Sequence, residues 1–164
     1  NSGGHSLRAW KEYFPNADIY SLDIYEKHLE EDRIHIYQGS QVDPDVLTKI
    51  CERSFDIIID DGSHINAHVI ESFKFLFPHL NMGGIYVIED CQTSYWGEMK
   101  GGSQTTMEFF KSLVDGLNYK ERPGYYNHTY YDRAILSIHF YHNLIFIHKG
   151  DNSEESNTLK DNKK

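Results

Sequence analysis

Residues 55–60 read FDIIID, and three consecutive isoleucines running into acid restrict the fold more than any other stretch of this chain. Apolar side chains on both sides of an extended backbone suit a strand buried on both faces, as in a parallel sheet flanked by helices. IYVIED, residues 85–90, is a second buried strand of the same kind. Two shorter strands are predicted upstream. DIYSLDIY ends near Asp23, and RIHIYQGS alternates Ile34, Ile36 and Gln38 against His35 and Tyr37 until Gly39 stops it.

Helices are predicted between these strands. Leu7, Trp10, Tyr13 and Phe14 stand at helical spacing over residues 5–14, closed by Pro15. Asp43-Pro44 opens a helix running to about residue 53, with proline in the first turn where its missing N–H costs little. Residues 66–80 carry the stripe Val69, Phe73, Leu76 and Phe77, and NMGG ends that helix. A polar loop over 92–104 precedes a helix over 106–119, and residues 120–133 read as loop. AILSIHFYHNLIFIHKG is a hairpin broken at His142-Asn143, and 151–164 is a disordered polar tail. Strands alternating with helices make an α/β domain, a mostly parallel sheet with an antiparallel C-terminal hairpin.

The 164 residues suit one domain, and a net charge of −9 argues against a nucleic-acid groove or an anionic membrane as partner. Cys51 and Cys91 have no paired spacing, which fits a reducing compartment, and no apolar run approaches the roughly 20 residues of a membrane span. A cytoplasmic location is the expectation. NSGGHS has no initiator Met and begins like the middle of a loop, so the chain reads as a fragment of something longer.

In such sheets ligands bind beyond the carboxyl ends of the strands. Three strands here end in acid: Asp23, then Asp60-Asp61, then Glu89-Asp90. Asp23 stays open between a ribose-binding acid and a solvated loop acid. Asp60 and Ser63 read as turn formers and helix caps. Asp61 with Glu89 and Asp90 is harder to explain that way, because neighbouring strands would crowd like charges. A hard divalent cation, Mg²⁺ first, removes that penalty. His64 shares the turn with Asp61, and an imidazole is the side chain suited to take a proton at cellular pH. Tyr95, Trp96, Tyr125, Tyr126, Tyr130 and Tyr131 lie in loops that serve equally as an acceptor pocket, core packing or an oligomer contact.

DDGSHINAHVIESFKFLFPHLNMGGIYVIEDCQTSYW, residues 60–96, resembles the metal-dependent, S-adenosylmethionine-using sugar O-methyltransferases of macrolide biosynthesis. SLRAWKEYFPNADIYSLDIYEK and HFYHNLIFIHKG look like the same family, so the resemblance covers most of residues 1–150, an N-terminally truncated methyltransferase domain. It implies the seven-stranded class I methyltransferase (Rossmann-like) fold. Its first strand and glycine-rich loop are missing here, with Gly3 and Gly4 at that loop's trailing end. By the same resemblance Asp61, Glu89 and Asp90 match the Mg²⁺ ligands and His64 the general base. Asp23 matches the ribose-binding acid; Gln38, Gly39, Ser40 and Gln41 fall where the cofactor adenine is contacted, and Asp61 borders the cofactor as well. Ser40 departs from the acid common at its position. The implied reaction moves a methyl group from S-adenosylmethionine to a hydroxyl of a small molecule, a sugar or diol. The alternatives are a nicotinamide-dependent oxidoreductase and a non-catalytic remnant, and a homo-oligomer stays open.

Overall fold

The structure is a computed structural model and describes residues 4–97, 101–122 and 126–156. Its contacts divide the chain into two units, Asn1–Glu52 and Arg53–Lys164.

In the first unit, α1 spans His5–Tyr13. Its last turn is capped by Arg33, whose guanidinium donates to the carbonyls of Lys11, Phe14 and Ala17. A cation at the negative end of a helix satisfies carbonyls that the helix itself cannot. Strands β1 (Ile19–Asp23) and β2 (Ile34–Gln38) pair in parallel, with Asp23 opposite Gln38. The Asp43 side chain accepts from the Asp45 and Val46 N–H groups to start α2, Pro44–Ile50, which buries Leu47 and Ile50. This helix stops short of the predicted residue 53, because residues 51–53 turn the chain into the next strand.

The second unit holds β3 (Phe55–Asp60), α3 (Asn66–Leu76), β4 (Leu80–Ile88), α4 (Thr106–Val114), α5 (Tyr130–Ala134), β5 (Ile135–Tyr141) and β6 (Leu144–Lys149). The sheet order is β3-β4-β6-β5; β3 and β4 are parallel, and β6 runs antiparallel to both its neighbours. The hairpin therefore folds its second strand back between β4 and its own first strand. Register places Ile58, Tyr86, Ile147 and Ile138 in one row, with Ile88 and Ile145 beside them. Those side chains meet Val69, Ile70 and Phe73 of α3 and Phe109 and Phe110 of α4 in the core. Phe73 lies at its centre, with ring centroids 4.9 Å from Phe77 and Phe110 and 5.2 Å from Tyr86.

Four expectations need correcting. Ile57 is 42% exposed and Asp56 is exposed, so β3 is not buried on both faces: the core packs on the Ile58 side, and β3 is the edge of its sheet. The helix over 66–80 ends at Leu76 and tightens into a 3-10 turn at Phe77–His79, since Pro78 cannot continue it. NMGG lies inside β4, not after a helix. It forms a bulge: Phe55 pairs with Leu80 but Ile57 with Ile85, and Gly83 takes a φ of 84°. The helix over 106–119 gives way at Asp115 to a 3-10 segment, Asp115–Glu121.

The 120–133 stretch also contains a helix, α5, begun by a capping box between Thr129 and Asp132. Asp132 is buried against Gly116, where an added Cβ would come within 2.1 Å of its Oδ1. Gly116→Ala should therefore cost about 1–3 kcal/mol in urea-unfolding measurements, by prising Asp132 off the Thr129 N–H. Of the predicted tail, residues 151–156 have no regular secondary structure. Asn152 nonetheless donates to the carbonyls of Leu117 and Asp132, and Ser156 bonds Glu121. Residues 157–164, like Gly3 and Tyr125, lie outside the described residues.

Candidate active site

Alternation along β3 separates the two adjacent acids by function. Asp60 turns into the unit, is 7% exposed, and accepts from the Tyr86 hydroxyl and the Gly62 N–H. Its role is in the fold, and Ser63 likewise pairs with His68 at 2.9 Å. Asp61 is the next residue and its side chain is 60% exposed. The Glu89 N–H donates to the Asp60 carbonyl at 3.0 Å, extending the parallel ladder past Ile88, so Asp61 and Glu89 leave the sheet side by side.

His64, at φ 57°, and Asp90, at φ 51°, have left-handed backbones. Such angles are unfavourable for residues other than glycine, and they turn a side chain where a regular backbone would not. Here they bring His64 back over Asp61. His64 Nε2 is 3.7 Å from Asp61 Oδ1 and 3.7 Å from Asp90 Oδ2. One ligand atom from each of Asp61, His64 and Asp90 lies within 4.8 Å of the other two.

Glu89 is outside that trio but within its field. Burial raises the Glu89 carboxyl above its ordinary value, and the charges of Asp61 and Asp90 add to the rise. The Asp61 carboxyl is also raised, first by burial; His64 opposes this and Asp90 reinforces it. Two of the acids, Asp61 and Glu89, thus resist ionisation beside Asp90 and one imidazole, an arrangement that could hold a cation. Their oxygens suit a hard divalent ion, which would remove the repulsion.

Loops hold this rim. Asn66, 1% exposed, accepts the Thr106 N–H at 2.7 Å and faces the Ser94 carbonyl at 3.5 Å. It thereby ties the start of α3 to the loop after β4 and to the start of α4. The Cys91 N–H bonds the Asn143 carbonyl, fastening the hairpin turn to the same rim. Tyr95 and Trp96 follow and are exposed. Tyr126, Tyr130 and Tyr131 are elsewhere: they precede β5 at the opposite end of the sheet. Tyr131 stacks on Phe73, and Tyr126 bonds Asp132.

The remaining predicted residues gather in the first unit, at the carboxyl ends of β1 and β2. The Gly39 N–H donates to the Asp23 carbonyl at 2.9 Å, and the Gln38 amide lies 3.5 Å from the Ile24 carbonyl. Partial burial works against ionising Asp23, but the Tyr25 N–H and the Lys27 ammonium outweigh it and hold the carboxyl below its ordinary value. Gly39 is a close approach, because a Cβ there would come within 2.8 Å of Val46. Ser40 Oγ accepts the Val42 N–H and its carbonyl the Asp43 N–H, shaping the turn that carries Gln41.

This is the class I methyltransferase fold: parallel strands with acids at their carboxyl ends and a final strand inserted antiparallel beside them. Known proteins agree. The chain is 48% identical, over 93% of its length, to mycinamicin VI 2''-O-methyltransferase of Micromonospora griseorubida and 50% identical, over 93%, to demethylmacrocin O-methyltransferase of Streptomyces fradiae. It superposes with a TM-score of 0.89 at 47% identity on the MycE methyltransferase solved with Mg, S-adenosylhomocysteine (SAH) and mycinamycin VI, covering 94% of this chain and 42% of that one. No family model matches. The chain is a close homologue of these O-methyltransferases and spans about two fifths, 41%, of their length.

Proposed function

We propose that this chain carries the catalytic rim of a Mg²⁺- and S-adenosylmethionine-dependent O-methyltransferase acting on a sugar hydroxyl of a glycosylated natural product. The observation that carries it is the convergence of Asp61, His64 and Asp90 where β3 and β4 end. The relatives' named substrates, mycinamicin VI and demethylmacrocin, give the acceptor class.

Asp61 and Asp90 would hold the cation, with Glu89 swinging in beside them. Mg²⁺, when bound, supplies positive charge that offsets the acids' repulsion and makes a nearby hydroxyl more acidic. S-adenosylmethionine, when bound, supplies the electrophilic methyl; Asp23 would take its ribose hydroxyls, and Gln38, Gly39, Ser40 and Gln41 would border its adenine. His64 Nε2 would take the proton of the acceptor hydroxyl. The imidazolium so formed faces two carboxylates at 3.7 Å, which stabilise it. A positioned base of this kind contributes roughly 10²–10⁴-fold.

Chelation is the direct test. EDTA should abolish methyl transfer to a glycosylated acceptor, and excess Mg²⁺ should restore it. Turnover that survives chelation would remove the metal from this reading. No helix among the described residues is long and apolar enough to cross a membrane. Cys51 and Cys91 are both free, which supports a reducing, cytoplasmic setting.

A further inference from the structure

Asp90 receives more support than a surface acid needs. Its carboxylate is divided: Oδ1 accepts the Gln92 Nε2 amide at 3.0 Å, while Oδ2 faces His64 Nε2 at 3.7 Å. Gln92 holds this pose at a cost, because its own Oε1 is buried without a hydrogen-bond partner among the described residues. Turning the amide over would set that oxygen against the carboxylate, so Asp90 fixes its direction.

Thr93 acts on the backbone. Its N–H and its hydroxyl both donate to the Asp90 carbonyl, at 3.0 and 2.7 Å, and the hydroxyl also lies 3.5 Å from the His64 carbonyl. The Thr93 side chain, 6% exposed, thus sits between the carbonyls of the two left-handed residues of the site. Left-handed backbone at non-glycine positions persists only where surrounding contacts impose it.

We propose that Gln92 and Thr93 are positioning residues that present a single oxygen, Asp90 Oδ2, to the cation shared with Asp61. The proposal rests on the metal reading above. Gln92 aims the carboxylate and Thr93 locks the turn beneath it; neither touches the ion. Partners of this sort change metal affinity by about 10–100-fold when removed.

The experiment is calorimetric titration of Mg²⁺, with Mn²⁺ as a second probe, into the protein and its Thr93→Val, Thr93→Ser and Gln92→Leu variants, with a melting temperature for each. Thr93→Val should weaken binding about tenfold or more, and Thr93→Ser, which keeps the hydroxyl, should stay within about twofold of the parent. Gln92→Leu should weaken binding while melting like the parent, since losing its one amide hydrogen bond is offset by removing an oxygen buried without a partner. Should Thr93→Val prove too unstable to titrate, Gln92→Leu alone decides the carboxylate's half of the proposal. Parent-like affinity in both Thr93→Val and Gln92→Leu overturns the positioning role and leaves the metal reading intact. A parent protein that binds neither ion overturns both.

Discussion

Replacing Asp61 by Asn should lower methyl transfer by about 10²- to 10³-fold, the size expected when a preorganised charge at the reacting centre is lost. The same change should leave the metal-free protein at least as stable as the parent at pH 7. The two halves have one cause. Asp61 is raised by burial, opposed by His64 and reinforced by Asp90, and Glu89 is raised by burial, Asp61 and Asp90. A carboxyl whose folded-state pKa lies above its unfolded value binds its proton more tightly in the fold. Its contribution to stability is complete below the unfolded value and is lost as pH rises through the folded one. At neutral pH these acids therefore work against the metal-free fold, and Asn at position 61 relieves them.

Thermal melts check the sign. Metal-free parent should gain stability from this cluster as pH falls toward the ordinary carboxyl values of 3.8 and 4.5, and added Mg²⁺ should raise its melting temperature at pH 7 but not near pH 4. Asp61→Asn should lose most of the Mg²⁺ effect and keep only the part of the pH effect that burial and Asp90 give Glu89. If Asp61→Asn instead melts well below the parent at pH 7 and keeps its turnover, Asp61 is a structural acid and the cation site is misplaced.

Much of this site is legible in the sequence, for a physical reason. The apolar runs III and IYVI make the acids that follow them conspicuous, so the ends of FDIIID and IYVIED announce the rim on which those acids sit. The spacing of Asp61 and His64 brings the imidazole into the same turn. What spacing alone cannot convey is the backbone angle: φ of 57° at His64 and 51° at Asp90 are set by hydrogen bonds from elsewhere, Thr93 among them. Glu89 stands outside the 4.8 Å trio because it leaves β4 before the left-handed turn that carries Asp90 inward. Gln92 and Thr93 are hidden in a stretch that reads as polar loop.

The fold divides in the same way. Both parallel pairs and the hairpin follow from periodicity. The bulge in β4 does not, because glycines after a helical stripe carry the same signal whether they end a helix or bend a strand. Helix α5 is shorter than periodicity can register, although Thr129 three residues before Asp132 is the capping signature that marks its start. The exposed side of Ile57 shows the limit of composition: isoleucines permit burial on both faces but do not supply the cover.

Lys149 is the residue whose importance the sequence least discloses, and replacing it by Met should cost much stability. A lysine ending a strand before glycine looks like a solvated charge. Instead it is 6% exposed, and its ammonium donates to the carbonyls of Phe77, Pro78 and Leu80 at 3.1, 2.8 and 2.6 Å. The Phe77 and Pro78 carbonyls lie in the 3-10 turn that follows α3 and the Leu80 carbonyl opens β4, so the cation ties the end of the helix to the start of the strand. The Phe77 ring, 5.5 Å away, adds its face. Methionine fills similar volume but donates nothing, leaving the Phe77 carbonyl with the Leu80 N–H and taking the lysine from the part-buried Pro78 carbonyl and the buried Leu80 carbonyl. At about 1–3 kcal/mol for a buried acceptor left unmade, with the lost ring contact and the weakened Phe77 and Pro78 bonds added, the loss should be about 3 kcal/mol. For a chain of this size that is a fall of roughly 6–12 °C in melting temperature. Because Lys149 pairs with the amino end of β5, on the rim opposite Asp61 and Asp90, Lys149→Met that remains folded at low temperature should retain parental affinity for Mg²⁺. A fall of less than about 1 kcal/mol in urea unfolding would show that water serves those carbonyls as well as the lysine does.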